Sequence, residues 1–374
     1  MKKKLLFFYL RTWGWHISNA KALKSYFDDK MWDEVDIKLQ DGLEKSKNLF
    51  KKIIEDWYAK LQSKWRLFYN FLYFFNKNSF FAKINQILMS KAIKNQIEEY
   101  ILDNNPDCIV IFHFFLIKPV TKIISDLWKK TKIITIVTDP FTVPKLRFLE
   151  KNMTYIVYSS KAQEIAIKNW IDKKNIFVFS PIVDPKYEKK PSKEYLQKLK
   201  KKYWIKSDKK NILIFGGGDG MKNTEKIIEK FLEKKINTKL FVICGKDKTL
   251  KENIEKIISE KNIKNIQVFG FIDFVYDLIC VADLVVTKAW PASIMEIIHL
   301  GKIPVINNYI WEQEKWNVEF VVKNQIWIYE KNIEKMIFKI QNILKNSDFY
   351  EKNIKKLKIE NWAKNIAKFI IKNI

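Results

Sequence analysis

A chain of 374 residues exceeds what one hydrophobic core usually organises, so two domains are expected. The formal net charge is +27, yet the basic residues are almost all Lys: Arg occurs only at Arg11, Arg66 and Arg147. Readers of nucleic acid rely on the bidentate Arg fork, which argues against nucleic acid as a partner, and the excess of Lys, Ile and Asn fits an AT-rich coding sequence. No uninterrupted apolar run reaches the roughly 18 residues of a membrane-spanning helix, and Cys108, Cys244 and Cys280 are too scattered for a metal site or a disulfide framework.

The opening MKKKLLFFYL has the outline of a signal peptide. Its apolar run, Leu5 to Leu10, is shorter than an h-region and lacks a small-residue cleavage site, so it reads as a first buried strand. The loop LRTWGWHISNA follows, carrying His16. Residues Trp57 to Lys83 crowd aromatics among Lys60, Lys64, Arg66, Lys77 and Lys83. That pattern fits either a helix seated among the headgroups of an anionic bilayer or a core helix. Further strands are expected at Cys108 to Phe112, Ile133 to Val137, Tyr155 to Tyr158 and Ile176 to Phe179. Three prolines in SPIVDPKYEKKP, from Pro181 to Pro191, mark a boundary near 185. Beyond it strands are expected at Ile212 to Phe215, Leu240 to Cys244, Ile266 to Phe269, Leu284 to Thr287 and Val305 to Asn307. The tail from Tyr350 to Ile374 has helical spacing of its apolar residues. Strands this apolar, separated by helix-length spacers, imply parallel sheets covered on both faces, hence two doubly wound α/β domains.

Four segments carry chemistry. GGGDGM, from Gly216 to Met221, lies between a strand and a helix, where its backbone can approach a phosphate; a Gly-rich scaffolding turn is the plain alternative. Ala292 and Ser293 open a helix whose N-terminus would seat a diphosphate. Glu296, one turn in, would then hold a ribose diol, with Gln313 and Glu314 within reach of sugar hydroxyls. In TDPFTVPKLRF, Asp139 stands at the carboxyl end of a strand, either orienting a catalytic group or capping a turn. His16, with a pKa near neutrality, would serve as a general base or else as a capping histidine. His113 and His299 sit in apolar runs and read as packed side chains.

The stretch 285–323, VVTKAWPASIMEIIHLGKIPVINNYIWEQEKWNVEFVVK, resembles the donor-site signature of glycosyltransferase family 28, which contains monogalactosyldiacylglycerol synthases and the peptidoglycan N-acetylglucosaminyltransferase. Its TKA-P and QE-x-x-N patterns place the resemblance nearer the diacylglycerol branch. The resemblance implies a glycosyltransferase B fold of two Rossmann-like domains facing a cleft. These would be an acceptor and membrane-facing domain at 1–185, a UDP-sugar donor-binding domain at 186–349, and a tail at 350–374 that crosses back. It implies an inverting, metal-independent hexosyltransferase without a cofactor, moving sugar from a UDP-sugar to diacylglycerol or a related lipid. The enzyme would be peripheral, on the anionic cytoplasmic face of the cell membrane. It further implies His16 and Asp139 as catalytic residues. Donor binding would fall to Gly216, Gly217, Gly218, Lys288, Pro291, Ala292, Ser293, Glu296, Gln313, Glu314 and Asn317. Transfer of N-acetylglucosamine to a polyprenyl-linked precursor and a catalytically silent lipid-binding homologue are the alternatives. Related lipid enzymes often carry a His shortly after the TD pair, where this chain has Val143, Pro144 and Lys145.

One anomaly crosses these motifs. The chain has 13 Trp and 9 Gly, the reverse of ordinary usage. Trp13 and Trp15 flank Gly14, and Trp290 precedes Pro291, at positions where the family pattern has Gly; Trp316 and Trp327 repeat the exchange. Trp170 and Trp204 stand at expected helix ends, where a C-terminal Gly is the rule. A gene that reads UGA as glycine, translated with UGA as tryptophan, accounts for all of them, and Trp13, Trp15, Trp290 and Trp316 are expected to be UGA codons. Genuine divergence with loss of activity is the alternative.

Overall fold

The computed structural model describes residues 2–11, 14–44, 79–140, 143–206, 209–309, 314–326, 328–357 and 363–374, with the backbone alone over 79–89. The aromatic, basic segment Trp57 to Lys83 therefore lies outside the described residues, apart from the backbone of 79–83. Two compact units emerge: Met1–Pro185 with Asn361–Ile374, and Lys186–Glu360.

The first unit runs β1 (Lys3–Tyr9), α1 (Gly14–Lys30), β2 (Val35–Asp41), α2 (Ser79–Asn104), β3 (Cys108–Ile111), α3 (Ile117–Asp126), β4 (Lys132–Val137), β5 (Thr154–Val157), α4 (Ser160–Lys168) and β6 (Ile176–Val178). Its six strands are all parallel, in the order β2-β1-β3-β4-β5-β6. Leu5 to Leu10 are buried throughout, as an apolar run must be when helices cover both faces of its sheet. β2 was not foreseen, because VDIKLQD is half polar; its exposed Asp36 and Lys38 suit an edge strand that pairs on one side only.

The second unit runs α5 (Lys193–Lys202), β7 (Lys210–Phe215), α6 (Thr224–Glu233), β8 (Thr238–Ile243), α7 (Lys248–Glu260), β9 (Ile266–Phe269), α8 (Val275–Val281), β10 (Leu284–Lys288), α9 (Pro291–His299), β11 (Ile303–Asn308), α10 (Lys315–Lys323), β12 (Ile328–Tyr329), α11 (Ile333–Lys345) and α12 (Ser347–Lys356). Its sheet is again parallel, in the order β12-β11-β10-β7-β8-β9. Short polar side chains cap three of its helices: Ser192 accepts from Tyr195 N–H, Asp247 from Leu250 N–H and Asn332 from Lys335 N–H.

The tail forms two helices rather than one. Ile354 of α12 is buried within the second unit, and a last helix, α13 (Ala363–Lys372), belongs to the first. There it packs against α1, and Phe369 meets Phe177 and Phe179 at ring-centroid distances of 4.4 and 5.5 Å. Ala363, Ile366, Ala367 and Ile370, the apolar stripe read from the sequence together with Ala367, are all fully buried. Ile366→Ala should lower the unfolding free energy by about 2–5 kcal/mol, through lost burial and the cavity left behind. Denaturant unfolding checks this, and a loss below about 1 kcal/mol would show that α13 is not part of the core.

Candidate active site

Each sheet reverses its winding once. In the first unit the chain passes from β1 to β2 on one side and then to β3 on the other, so β1 and β3 are neighbours. In a doubly wound sheet the carboxyl ends of two such strands leave a crevice, because their connections depart to opposite faces. His16 lies three residues into α1, directly after β1, and His113 two residues after β3. The reversal brings their rings together edge to face, with centroids 4.6 Å apart. Thr138, the residue after β4, lies within hydrogen-bonding distance: its Oγ1 is 2.7 Å from His16 Nδ1. Trp15 Nε1–H donates to the Thr138 carbonyl at 2.5 Å, and Asn19 links the Trp15 carbonyl to the Tyr158 hydroxyl.

Asp139 does not reach a histidine. Its carboxylate pairs with Arg147, whose guanidinium lies 4.3 Å from the centre of the Phe114 ring, and Phe114 stacks on His113. Burial, first, and the charge of Arg147, second, hold His16 well below the ordinary 6.5, against a smaller opposing contact with the Phe112 backbone. His113 is lowered for similar reasons: burial, then His16, then Arg147. This corrects the expectation of a near-neutral His16, since an imidazolium cannot be solvated at a position 2% exposed beside a fixed cation. Burial raises the Asp139 carboxyl above 3.8, with Arg147 opposing it. At neutral pH the cluster therefore offers neutral imidazole, a proton acceptor.

The second unit reverses between β7 and β10. After β7 come Gly216, Gly217 and Gly218, with Gly217 at φ 77°, and a Cβ on Gly216 would stand 2.4 Å from the Gly220 carbonyl oxygen. Only glycine lets this turn close so tightly. After β10, Trp290 precedes α9, Pro291 takes the first helical position, and Ala292 and the buried Ser293 complete the opening turn. Glu296 is half-buried one turn further on. Burial lowers the Lys288 ammonium while Asp219 and Glu314 oppose that shift, so both carboxylates act on this lysine. Asn317 on α10 donates to the Ala289 carbonyl at 2.8 Å, tying the QE-x-x-N segment to the β10 turn. Glu314 is buried just ahead of α10. Gln313 lies outside the described residues, as do Trp13 and Trp327 and the side chain of Trp316.

Sequence reasoning missed His113, the Thr138 hydroxyl, Arg147 and Asp219. His113 was read as packed, and it is buried at 3% exposure, yet it faces His16. The contact joins residues 97 positions apart and exists only because β3 returns beside β1. Arg147 carried one available signal, being one of three Arg in a chain that otherwise uses Lys.

Two doubly wound units of this kind make the glycosyltransferase B fold. Acinetobacter baumannii MurG shares it, with a TM-score of 0.63 at 13% identity over 99% of each chain. Residues 16–183 match the monogalactosyldiacylglycerol (MGDG) synthase family and residues 211–372 the glycosyltransferase family 28 C-terminal domain. Monogalactosyldiacylglycerol synthase 2 of Arabidopsis thaliana is 25% identical over 353 residues, 88% of this chain and 71% of the relative. The processive diacylglycerol beta-glucosyltransferase of Bacillus pumilus is 22% identical over 373 residues, 99% and 94% of the two chains. The chain belongs to the family 28 glycosyltransferases, in the branch that holds these diacylglycerol enzymes.

The buried imidazoles set a pH dependence. Unfolding returns His16 and His113 towards 6.5, so below that value the unfolded chain binds more protons than the folded one and stability falls. Asp139 acts with the opposite sign in the range above 3.8, because its carboxyl takes a proton more readily when folded. With two histidines against one carboxyl, the unfolding free energy should hold above about pH 6.5 and fall as the pH drops below it, at up to about 1.4 kcal/mol per pH unit for each histidine, and Tm should fall with it. Calorimetry of the native chain and of His113→Gln checks this: the acid-side slope should be shallower in the variant, and equal slopes would remove His113 from the account.

Proposed function

We propose that this chain transfers a hexose from a UDP-sugar to a hydroxyl of diacylglycerol or a related lipid, with inversion at the anomeric carbon, while lying on the cytoplasmic face of a membrane. The observation that carries the donor half is that Gly217 and Lys288 both lie near the ring of Trp290, the residue that caps α9: a Cβ on Gly217 would stand 3.2 Å from it and Lys288 Nζ lies 5.8 Å from its centre. Unpaired N–H groups, the positive end of the helix dipole and an ammonium group meet the charge of a diphosphate without a metal. Glu296 then accepts hydrogen bonds from the ribose diol. Diacylglycerol as acceptor is supported by the similarity to a monogalactosyldiacylglycerol synthase and a processive diacylglycerol beta-glucosyltransferase. Among the described residues no helix is long and apolar enough to cross a membrane, which suits access from the surface.

In this reading His16, neutral at working pH, accepts the proton of the acceptor hydroxyl as its oxygen attacks the anomeric carbon. The bond from that carbon to the β-phosphate oxygen breaks, and UDP leaves as the anion. The partner on Nδ1, Thr138, fixes the imidazole plane, and Arg147 disfavours a resting imidazolium. Asp139 orients Arg147 rather than the base.

His16→Ala should lower kcat by roughly 10²–10⁴ while leaving UDP affinity within about twofold. Full turnover by that variant in a UDP-sugar and diacylglycerol assay would move the role elsewhere. Glu296→Ala should weaken UDP binding by about 1–3 kcal/mol, since two hydroxyls lose a charged acceptor. Unchanged affinity in titration calorimetry would refute the assignment of the ribose site.

A further inference from the structure

Seven of the described helices end in the same way, and three of them do so on tryptophan. After α3, Lys129 N–H donates to the Ile124 carbonyl at 3.2 Å and Trp128 N–H to Ser125 at 3.1 Å. After α4, Ile171 N–H donates to Ala166 at 3.2 Å and Trp170 N–H to Ile167 at 2.9 Å. After α5, Ile205 N–H donates to Lys200 at 2.9 Å and Trp204 N–H to Lys201 at 3.1 Å. This paired closure requires a left-handed residue just past the helix, the position glycine dominates. Trp128, Trp170 and Trp204 fill it at φ 52°, 65° and 47°.

A bulky aromatic there brings the Cβ penalty of the left-handed region, and burying the ring would be the only compensation. None is gained, for the three residues are 93%, 81% and 78% exposed. The same chain shows the ordinary solution after α9, where Gly301 takes φ 70° in an identical closure, with Lys302 N–H on Ile297 at 3.0 Å. The same closure ends α6, α7 and α10 on Lys235, Asn262 and Gln325, and Asn105 and Asn223 are left-handed as well; all five are polar side chains that water solvates. Tryptophan is the single apolar type among the described left-handed residues.

Trp290 differs in kind. Its φ of −75° asks nothing of glycine. Its ring, however, lies within 3.2 Å of where a Cβ on Gly217 would stand, and Lys288 Nζ is 5.8 Å from the ring centre. The indole thus fills the space shared by the Gly-rich turn, the lysine and the start of α9.

We propose that the gene encodes glycine at 128, 170, 204 and 290 through UGA codons read as glycine, and that a residue without a side chain at 290 is what opens the diphosphate seat. The second clause rests on the donor site proposed above; the first does not.

Three measurements separate the parts. Codons and peptide masses of the chain from its own source come first: UGA with glycine masses at these four positions is expected, and UGG with tryptophan masses overturns the proposal. Second, Trp128→Gly/Trp170→Gly/Trp204→Gly, made in the tryptophan-bearing chain, should raise Tm by about 5 °C or convert an insoluble product into a folded one; an unchanged or lower Tm overturns the backbone argument, whatever the site binds. Third, Trp290→Gly should tighten UDP binding at least about tenfold by titration calorimetry. If UGA is found at 290 and this variant gains no affinity for UDP, the seat is wrong and the donor reading falls with it, while the decoding stands.

Discussion

The reversal of winding in each parallel sheet is the constraint from which the rest of the molecule follows. A strand flanked by neighbours whose crossover helices depart to opposite faces has nothing packed over its carboxyl end, so loops from both neighbours can converge there. β1 and β3 make such a pair in the first unit, β7 and β10 in the second. The two crevices then diverge chemically according to what the loops carry. The first receives two imidazoles, a threonine and an arginine-carboxylate pair; the second receives a glycine turn, a lysine and a helix N-terminus. In the proposed reaction the first would accept a proton and the second the charge of a diphosphate.

Within the first crevice two effects compete for the histidines. A carboxylate nearby would favour imidazolium, as in many acid-base pairs, and Asp139 is only one residue from Thr138. Arg147 removes that option by claiming the carboxylate, and its own charge then acts on both rings in the same direction as burial. Desolvation ranks first among the causes at His16, His113 and Asp139 alike, so the low polarity of the crevice, more than any single partner, decides the protonation states. The polar cluster is buried yet tied together: His16 to Thr138, Asn19 to Trp15 and Tyr158, and Asp139 to Arg147.

The fold was legible because it is written locally. All ten expected strands exist, and their alternation with helix-length spacers dictates parallel sheets. The two strands that escaped notice were β2, which is half polar at a sheet edge, and β12, two residues long and half-buried. The residues of the proposed donor half are likewise written locally, since turn glycines, helix opening and Glu296 follow one another within short segments. The surroundings of the proposed base were legible only in part. His16 and the TD pair stood out, whereas His113, Arg147 and the partner of Asp139 depend on contacts between strands far apart in sequence, which no local pattern encodes.

The tryptophans show how a fold can test a sequence rather than the reverse. Substitution by a large ring has three distinguishable consequences. At 128, 170 and 204 the backbone itself objects, because hydrogen bonds on either side fix a left-handed turn whatever residue occupies it. At 290 the backbone is indifferent and the objection is one of volume against Gly217. Trp15 meets neither objection: it is 8% exposed within a helix, and its indole N–H is used by the Thr138 carbonyl. Family resemblance would place glycine at 15 as readily as at 290, but resemblance treats every position alike. Dihedral angle and exposure do not, and they single out the three helix ends, which touch no proposed ligand, as the positions where an exposed apolar ring stands on a left-handed backbone.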